Sequence, residues 1–323
     1  MQATTSIKRA NTATIGQRIS DAAPTYGALA ALVLLLVFNS LFTTNFFAAN
    51  NVINILLQVA TTVLVAIGMT LVIATRGIDL SVGSVMAIAS AIAATQLSRG
   101  VGFAMLLALL AALLVGTLNG WLISTFNIQP IIVTLALLIT GRGIAQVIND
   151  GNLVPFSNPA FEYFGKGYIG FVPVQVVIMI VIVALALFVM RATSFGRYVL
   201  ATGGNEAAAR LAGVRTARTK IIVYAISGLL AGLAGLIETA RISASDAGKI
   251  GLNIELDAIA AVVVGGTPLT GGRATIIGTL IGALIMAVIT TSFNMLNYPY
   301  SWSLVLKAAI ILVAVYIQRP KVA

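Results

Sequence analysis

The sequence predicts an all-α fold, a polytopic bundle of helices embedded in a membrane. Three observations carry this. Of the 323 residues, 59% are hydrophobic and only 9% charged, whereas a soluble domain carries about 25% charged residues, so there is too little polar surface to cover a soluble globule. Apolar runs recur along the whole chain, several of them near the length that crosses about 30 Å of hydrocarbon. All eight prolines (Pro24, Pro130, Pro155, Pro159, Pro173, Pro268, Pro299, Pro320) fall at or beyond the ends of those runs, so none interrupts a helix interior.

Residues 1–26 are polar and carry Lys8, Arg9 and Arg18. They lack an apolar core followed by a small-residue cleavage site, and are read as a cytoplasmic tail, either a surface helix or partly disordered. Apolar stretches follow at 27–44, 52–75, 83–97, 102–125, 131–149, 172–190, 221–241, 255–268, 275–296 and 302–318. They make one transmembrane domain over 27–318, with about ten crossings, or eight if the short stretches 83–97 and 255–268 are re-entrant. Re-entrant segments are tolerated only where protein or a cavity surrounds them. Residues 319–323 form a second tail. An even number of crossings places both termini on one side. Of the 19 basic residues, 13 then fall on that side and four (Arg99, Lys166, Arg241, Lys249) on the other, which makes the termini cytoplasmic. The longest outer loop, 150–171, mixes Asn, Pro, Gly and aromatics, and is either a connector or part of an outer vestibule.

The most informative cytoplasmic stretch is 191–220. It holds Arg191, Arg197, Arg210, Arg215, Arg218 and Lys220 against one acid, Glu206. Inside it a miniature helix is predicted. Asn205 is a good N-cap, Glu206 suits the positive end of the helix dipole, and Ala207, Ala208, Ala209 and Leu211 favour helix. Arg210 stands four residues after Glu206, and Gly213 can take the left-handed C-terminal position. Such a helix, about eight residues long, is too short to persist alone in water. It is expected to be held by the spans around it or by a separate cytoplasmic protein.

Other constellations are weighed beside bland roles. Glycines four apart at Gly116/Gly120, Gly228/Gly232 and Gly278/Gly282 allow close helix packing. GTLNGWLI (116–123) and GTLIGALI (278–285) match at six of eight places, a hint of two related halves. Asp79 and Ser81, in RGIDLSVG (76–83), can cap the helix that follows or act at a gate. Glu255 and Asp257 suit a first helical turn. Within spans, Arg142 is expected to bond to neighbouring carbonyls and Lys307 to snorkel. Asn119, Trp121 and Asn294 are further candidates for a pathway or gate. The glycine-rich run 265–273 lacks the Gly-x-x-x-x-Gly-Lys-Ser/Thr pattern of a nucleotide cradle. With no Cys and no His, disulfides, thiolate chemistry, Cys/His metal sites and His-based catalysis are excluded. No catalytic, cofactor or metal residue is identified. The net charge of +10 is explained by residues flanking spans, not by a nucleic-acid surface, since no aromatic-interleaved basic patch exists.

Three segments, GMTLVIATRGIDLSVGSVMAIA (68–89), GRYVLATGGNEAAARLAGV (196–214) and ELDAIAAVVVGGTPLTGGR (255–273), together resemble the permease subunit of bacterial ABC monosaccharide importers of the ribose, xylose, arabinose and galactofuranose type. The resemblance runs from about residue 30 to 318. It implies an inner-membrane protein, two permease subunits, alike or different, around one pathway, a periplasmic sugar-binding protein, and a cytoplasmic ATP-binding subunit that drives transport. The ATPase-coupling residues would be Asn205, Glu206, Ala207, Ala208, Arg210 and Gly213, since Glu206-Ala207-Ala208 resembles the Glu-Ala-Ala motif of importer permeases. Gly213 departs from that motif, lying seven residues after Glu206 instead of six. The competing reading is an ion-coupled secondary transporter or facilitator, which calls for mid-span acids or His partners.

Overall fold

The computed structural model describes residues 15–318. The tail assigned to 319–323, and residues 1–14 of the N-terminal one, lie outside them. The fold is nearly all helical. In order it comprises α1 (Ile15–Phe42), α2 (Ala49–Ala74), α3 (Val82–Gln96), a 3-10 turn (Leu97–Arg99), α4 (Val101–Phe126) and α5 (Pro130–Ile148). Next come β1 (Val154–Pro155), α6 (Pro159–Lys166), β2 (Tyr168–Ile169), β3 (Val172–Pro173), α7 (Val174–Ala192), α8 (Ser194–Gly204) and α9 (Glu206–Leu211). The chain closes with α10 (Thr216–Ile242), β4 (Ala244–Ser245), α11 (Ile254–Val264), α12 (Ile276–Met295) and α13 (Tyr300–Gln318).

Each of the ten apolar stretches forms a helix. Six helices (α2, α4, α5, α7, α10, α12) are long and apolar enough to cross a membrane, and shorter apolar helical segments lie at Tyr26–Phe42 and Tyr300–Tyr316. The two short stretches form α3, 15 residues, and α11, 11 residues, about 22 and 16 Å long at 1.5 Å per residue. Neither stands alone, and α11 packs against α2, α12 and α13. Every residue of α3 from Val82 to Ala91 is buried, and its neighbours are α4, α5 and α10.

At the centre stands α2, buried almost continuously from Val59 to Ala74. Around it pack α7, α10, α11 and α12. Small residues set the spacing. On α4, a Cβ at Gly116 would strike the Tyr224 carbonyl oxygen, and the Gly116 and Gly228 backbones are in direct contact. Gly120 meets Ile221 in the same way, and Gly232 meets Ala112. Two of the three predicted glycine pairs thus form the two sides of one α4–α10 contact. The third pair, Gly278 and Gly282, lies against Gly265 and Ala261 of the α11 segment. The matching octapeptides therefore meet different neighbours, α4 facing α10 and α12 facing α11.

The loop 150–171 is more ordered than its composition implied. β1 pairs with β4 antiparallel, and β2 with β3 across a turn at Gly170, φ +61°. Between the pairs, α6 is capped by Asn158, whose Oδ1 accepts the Phe161 N–H at 3.1 Å.

Candidate functional site

The stretch 191–220 folds as two helices instead of one. Thr193 caps α8, its Oγ1 accepting the Gly196 N–H at 3.4 Å. Glycine is a weak helix former, yet Gly203-Gly204 forms the last turn of α8. There Gly203 is needed for its size, because its backbone lies on the Ala74 carbonyl and the Gly272 amide.

Then comes α9, six residues instead of about eight. Asn205 is extended (φ −153°, ψ 101°), and its Oδ1 accepts the Ala208 N–H at 3.0 Å. Gly213 is left-handed at φ +83°. The Gly213 N–H donates to the Arg210 carbonyl at 3.0 Å and the Val214 N–H to the Ala209 carbonyl at 2.9 Å. This double closure is the Schellman arrangement, and it satisfies carbonyls that the helix end leaves free. Ala209 faces inward, while Ala207, Ala208 and Leu211 are exposed. Leu211 is 91% exposed at the tip of a well-fastened turn.

What fastens it comes from elsewhere in the chain. Glu206 pairs with Arg210 at 2.7 Å, as the spacing predicts, and with Lys220 of α10, also at 2.7 Å. Arg210 Nε donates to Thr216 Oγ1 at 2.9 Å. Partial burial raises the Glu206 carboxyl, but the hydrogen bonds from Lys220 and Arg210 outweigh it and hold the group below the usual carboxylate range. The acid thus joins both ends of α9 to the first turn of α10.

A second junction lies beside it. Arg76 Nη2 donates to the Gly204 carbonyl at 2.6 Å, and the Gly272 N–H donates to the Ala74 carbonyl at 2.9 Å. The loop that carries Gly272 is itself braced. Thr275 Oγ1 lies 2.8 Å from Thr267 Oγ1, and Thr275 N–H donates to Thr267 Oγ1 at 3.0 Å. Three segments distant in sequence therefore meet at one point: the end of α2, the end of α8 and the glycine-rich run 265–273.

Among the gate candidates, Asp79, Ser81 and Asn119 come together in a buried cluster. Asp79 Oδ1 accepts the Ser81 N–H at 3.0 Å and its hydroxyl at 2.6 Å; Oδ2 accepts the Ser227 hydroxyl at 2.9 Å. Asn119 Nδ2 donates to Ser81 Oγ at 2.9 Å. The cluster joins the α2–α3 turn to α4 and α10. Ser81 occupies the N-cap position of α3, but its side chain does not cap, because its hydroxyl is given to Asp79. Trp121 stands apart, half exposed and edge-on to Phe126 at 5.3 Å. Asn294 is exposed near the end of α12.

Arg142 bonds the Ala247 and Ile250 carbonyls at 2.9 and 2.6 Å, as expected. Lys307 does not snorkel. It is buried and pairs with Asp257 at 2.7 Å, a partner 50 residues away that no local spacing reveals. The Lys220–Glu206 pair and the Arg76 contact are hidden from the sequence for the same reason.

The sequence model of the family described as branched-chain amino acid transport system / permease component matches residues 51–315. The chain is 43% identical over 302 residues to the ribose import permease protein RbsC of Escherichia coli strain K12, covering 91% of this chain and 93% of that one. To the RbsC of Bacillus subtilis strain 168 it is 40% identical over 299 residues, covering 91% and 92%. To the galactofuranose transporter permease protein YtfT of Escherichia coli strain K12 it is 41% identical over 305 residues, covering 91% and 89%.

Proposed function

Because the chain belongs to the family of branched-chain amino acid transport system permease components, we propose that it is the membrane-spanning permease subunit of an ATP-driven importer and forms the passage for a monosaccharide. The family description names amino acids. The relatives at 40–43% identity are named for ribose and galactofuranose, and this closer similarity favours a sugar.

The observation that carries the coupling role is α9. It presents Leu211 and two alanines to the outside, yet Glu206 ties it to α10, and the adjoining α8 rests on the end of α2 through Gly203. A small apolar knob on a rigid turn suits a groove on a second protein, and packed elements pass a rigid-body displacement onward in discrete steps. In this reading the cytoplasmic ATP-binding subunit grips α9, and Asn205, Glu206, Ala207, Ala208, Arg210 and Gly213 are its coupling residues. The chain hydrolyses no ATP itself. All ten apolar stretches lie within one transmembrane domain over 27–318 of the inner membrane, with both termini cytoplasmic. A second permease subunit completes the passage, and a periplasmic binding protein delivers the sugar.

The test is reconstitution. Liposomes holding the chain with its ATPase subunit should import labelled sugar when ATP and the binding protein are supplied. Uphill accumulation by this chain alone would overturn the proposal. A narrower prediction concerns Gly213→Val. The position is sterically open, so only the left-handed backbone opposes the change, at a cost of about 1–2 kcal/mol. Sugar moved per ATP hydrolysed should fall severalfold, with assembly retained. An unchanged ratio would count against the role of α9.

A further inference from the structure

The bundle contains a polar cavity of about 140 Å³ between α2, α10, α11, α12 and α13. At about 30 Å³ per water this is room for roughly four or five waters, or for part of a small polyol. Its lining is unusual for so apolar a chain. Glu238, Arg241, Asp257 and Lys307 all reach it, with Gln58, Thr62, Thr290 and Tyr300. Lys307 lies within an apolar helix, where an ionisable group is costly and tends to face a pathway.

The plain explanation is a staple: Lys307–Asp257 fastens α13 to α11 at 2.7 Å. That accounts for two of the side chains. Glu238 and Arg241, three apart on α10, can balance each other, which leaves Gln58, Thr61 and Thr62 on α2 and Thr290 on α12 unexplained. Thr62 Oγ1 donates to the Gln58 carbonyl at 3.1 Å and Thr290 Oγ1 to the Met286 carbonyl at 3.0 Å. Each threonine oxygen therefore keeps lone pairs for an incoming donor, and the Gln58 amide adds both a donor and an acceptor. A hydroxyl group donates and accepts at once, so a mixed wall of this kind suits a polyol. The charge balance points the same way. Two acids and two bases balance in formal charge, which suits an uncharged solute better than an ion. Tyr300 adds an aromatic ring.

We propose that this cavity is a binding station for one neutral polyhydroxylated solute, held through Gln58, Thr62, Thr290 and the Asp257–Lys307 pair. The assignment rests on the reading of the chain as a sugar permease and adds to it a place where the passage itself reads the solute. The station lies at the C-terminal end of α10, the end opposite α9. Thr62 and the Ala74 junction are 12 residues apart on α2, about 18 Å along one helix, so a single element touches both.

The chain has no cysteine, so one introduced thiol is unique within it. Thr62→Cys and Thr290→Cys are made separately in the full assembly with ATPase subunit and binding protein. Modification of this chain by a small hydrophilic methanethiosulfonate is followed by mass spectrometry. The probe sugar is whichever of ribose, xylose, fructose and galactofuranose the wild-type assembly imports fastest. Both thiols should react without sugar. With sugar present the rate should fall about tenfold, the factor that occupancy gives at roughly ten times the dissociation constant. Two silent thiols, or rates indifferent to a sugar that the same assembly imports, would refute the station alone. A wild-type assembly that imports none of the four sugars would refute the permease reading and the station with it.

Discussion

Gly203→Ala is expected to reduce sugar import by more than about tenfold, although it adds a single methyl group. The new Cβ would strike the Ala74 carbonyl oxygen and come within 2.6 Å of the Gly272 amide nitrogen. Both are backbone atoms held by their own hydrogen bond, so no side chain can swing aside. Relief requires the end of α8 to back away, which opens the Gly272–Ala74 bond and strains the Arg76 contact to the Gly204 carbonyl. Overpacking and one lost buried bond together cost about 2–4 kcal/mol. If that cost falls on the state that passes motion from α9 to α2, it exceeds a tenfold loss of rate, since about 1.4 kcal/mol is one decade. The neighbouring glycine supplies the control. A Cβ at Gly204 meets nothing within 4 Å, so Gly204→Ala should import as the wild type does. Equal import by both variants would remove the junction from the mechanism. Thermal unfolding in detergent separates a broken junction from an unfolded protein.

The second large effect is expected at Asp79. Asp79→Ala strips the acceptor from three buried donors, the Ser81 amide, the Ser81 hydroxyl and the Ser227 hydroxyl. An unsatisfied buried donor costs about 1–3 kcal/mol, offset in part by removal of the buried acid and by rotation of the hydroxyls, for a net loss of about 2–4 kcal/mol. Asp79→Asn keeps the shape and one oxygen, and the Ser227 hydroxyl can turn to accept from the new amide. The alanine variant should therefore unfold at a clearly lower temperature than the asparagine variant, with import following the same order. Matching melting temperatures for Asp79→Ala and the wild type would show that the cluster does not hold the α2–α3 turn to α4 and α10.

What could be read from the sequence is what depends on neighbours in the chain. The ten helices were visible because a run of apolar residues is a local property. So were the Asn205 cap, the Glu206–Arg210 pair and the turn at Gly213, all within a few residues of one another. The α8 helix was hidden because glycine is a weak helix former, and its need for glycine comes from Ala74 and Gly272, far away in sequence. No acid stands near Lys307 in the sequence, so snorkelling is the expectation there; its partner sits on another helix. The meeting of α2, α8 and the run 265–273 has no sequence spacing at all, since it is made by packing. Ser81 is the mixed case. Its position at a helix start was legible, but its hydroxyl serves Asp79, a choice set by a buried environment that spacing does not describe.

The contact of α4 with α10 constrains how such a bundle can move. Where main chain rests on main chain, there are no long side chains to re-rotate and take up a slip of half a turn. The two helices must travel as a single slab. Any rearrangement that opens the protein to one face and then the other is left to the seams where bulky residues interleave, and a probe of relative motion placed across α4 and α10, on the exposed Leu114 and Ile222, should stay silent throughout the cycle.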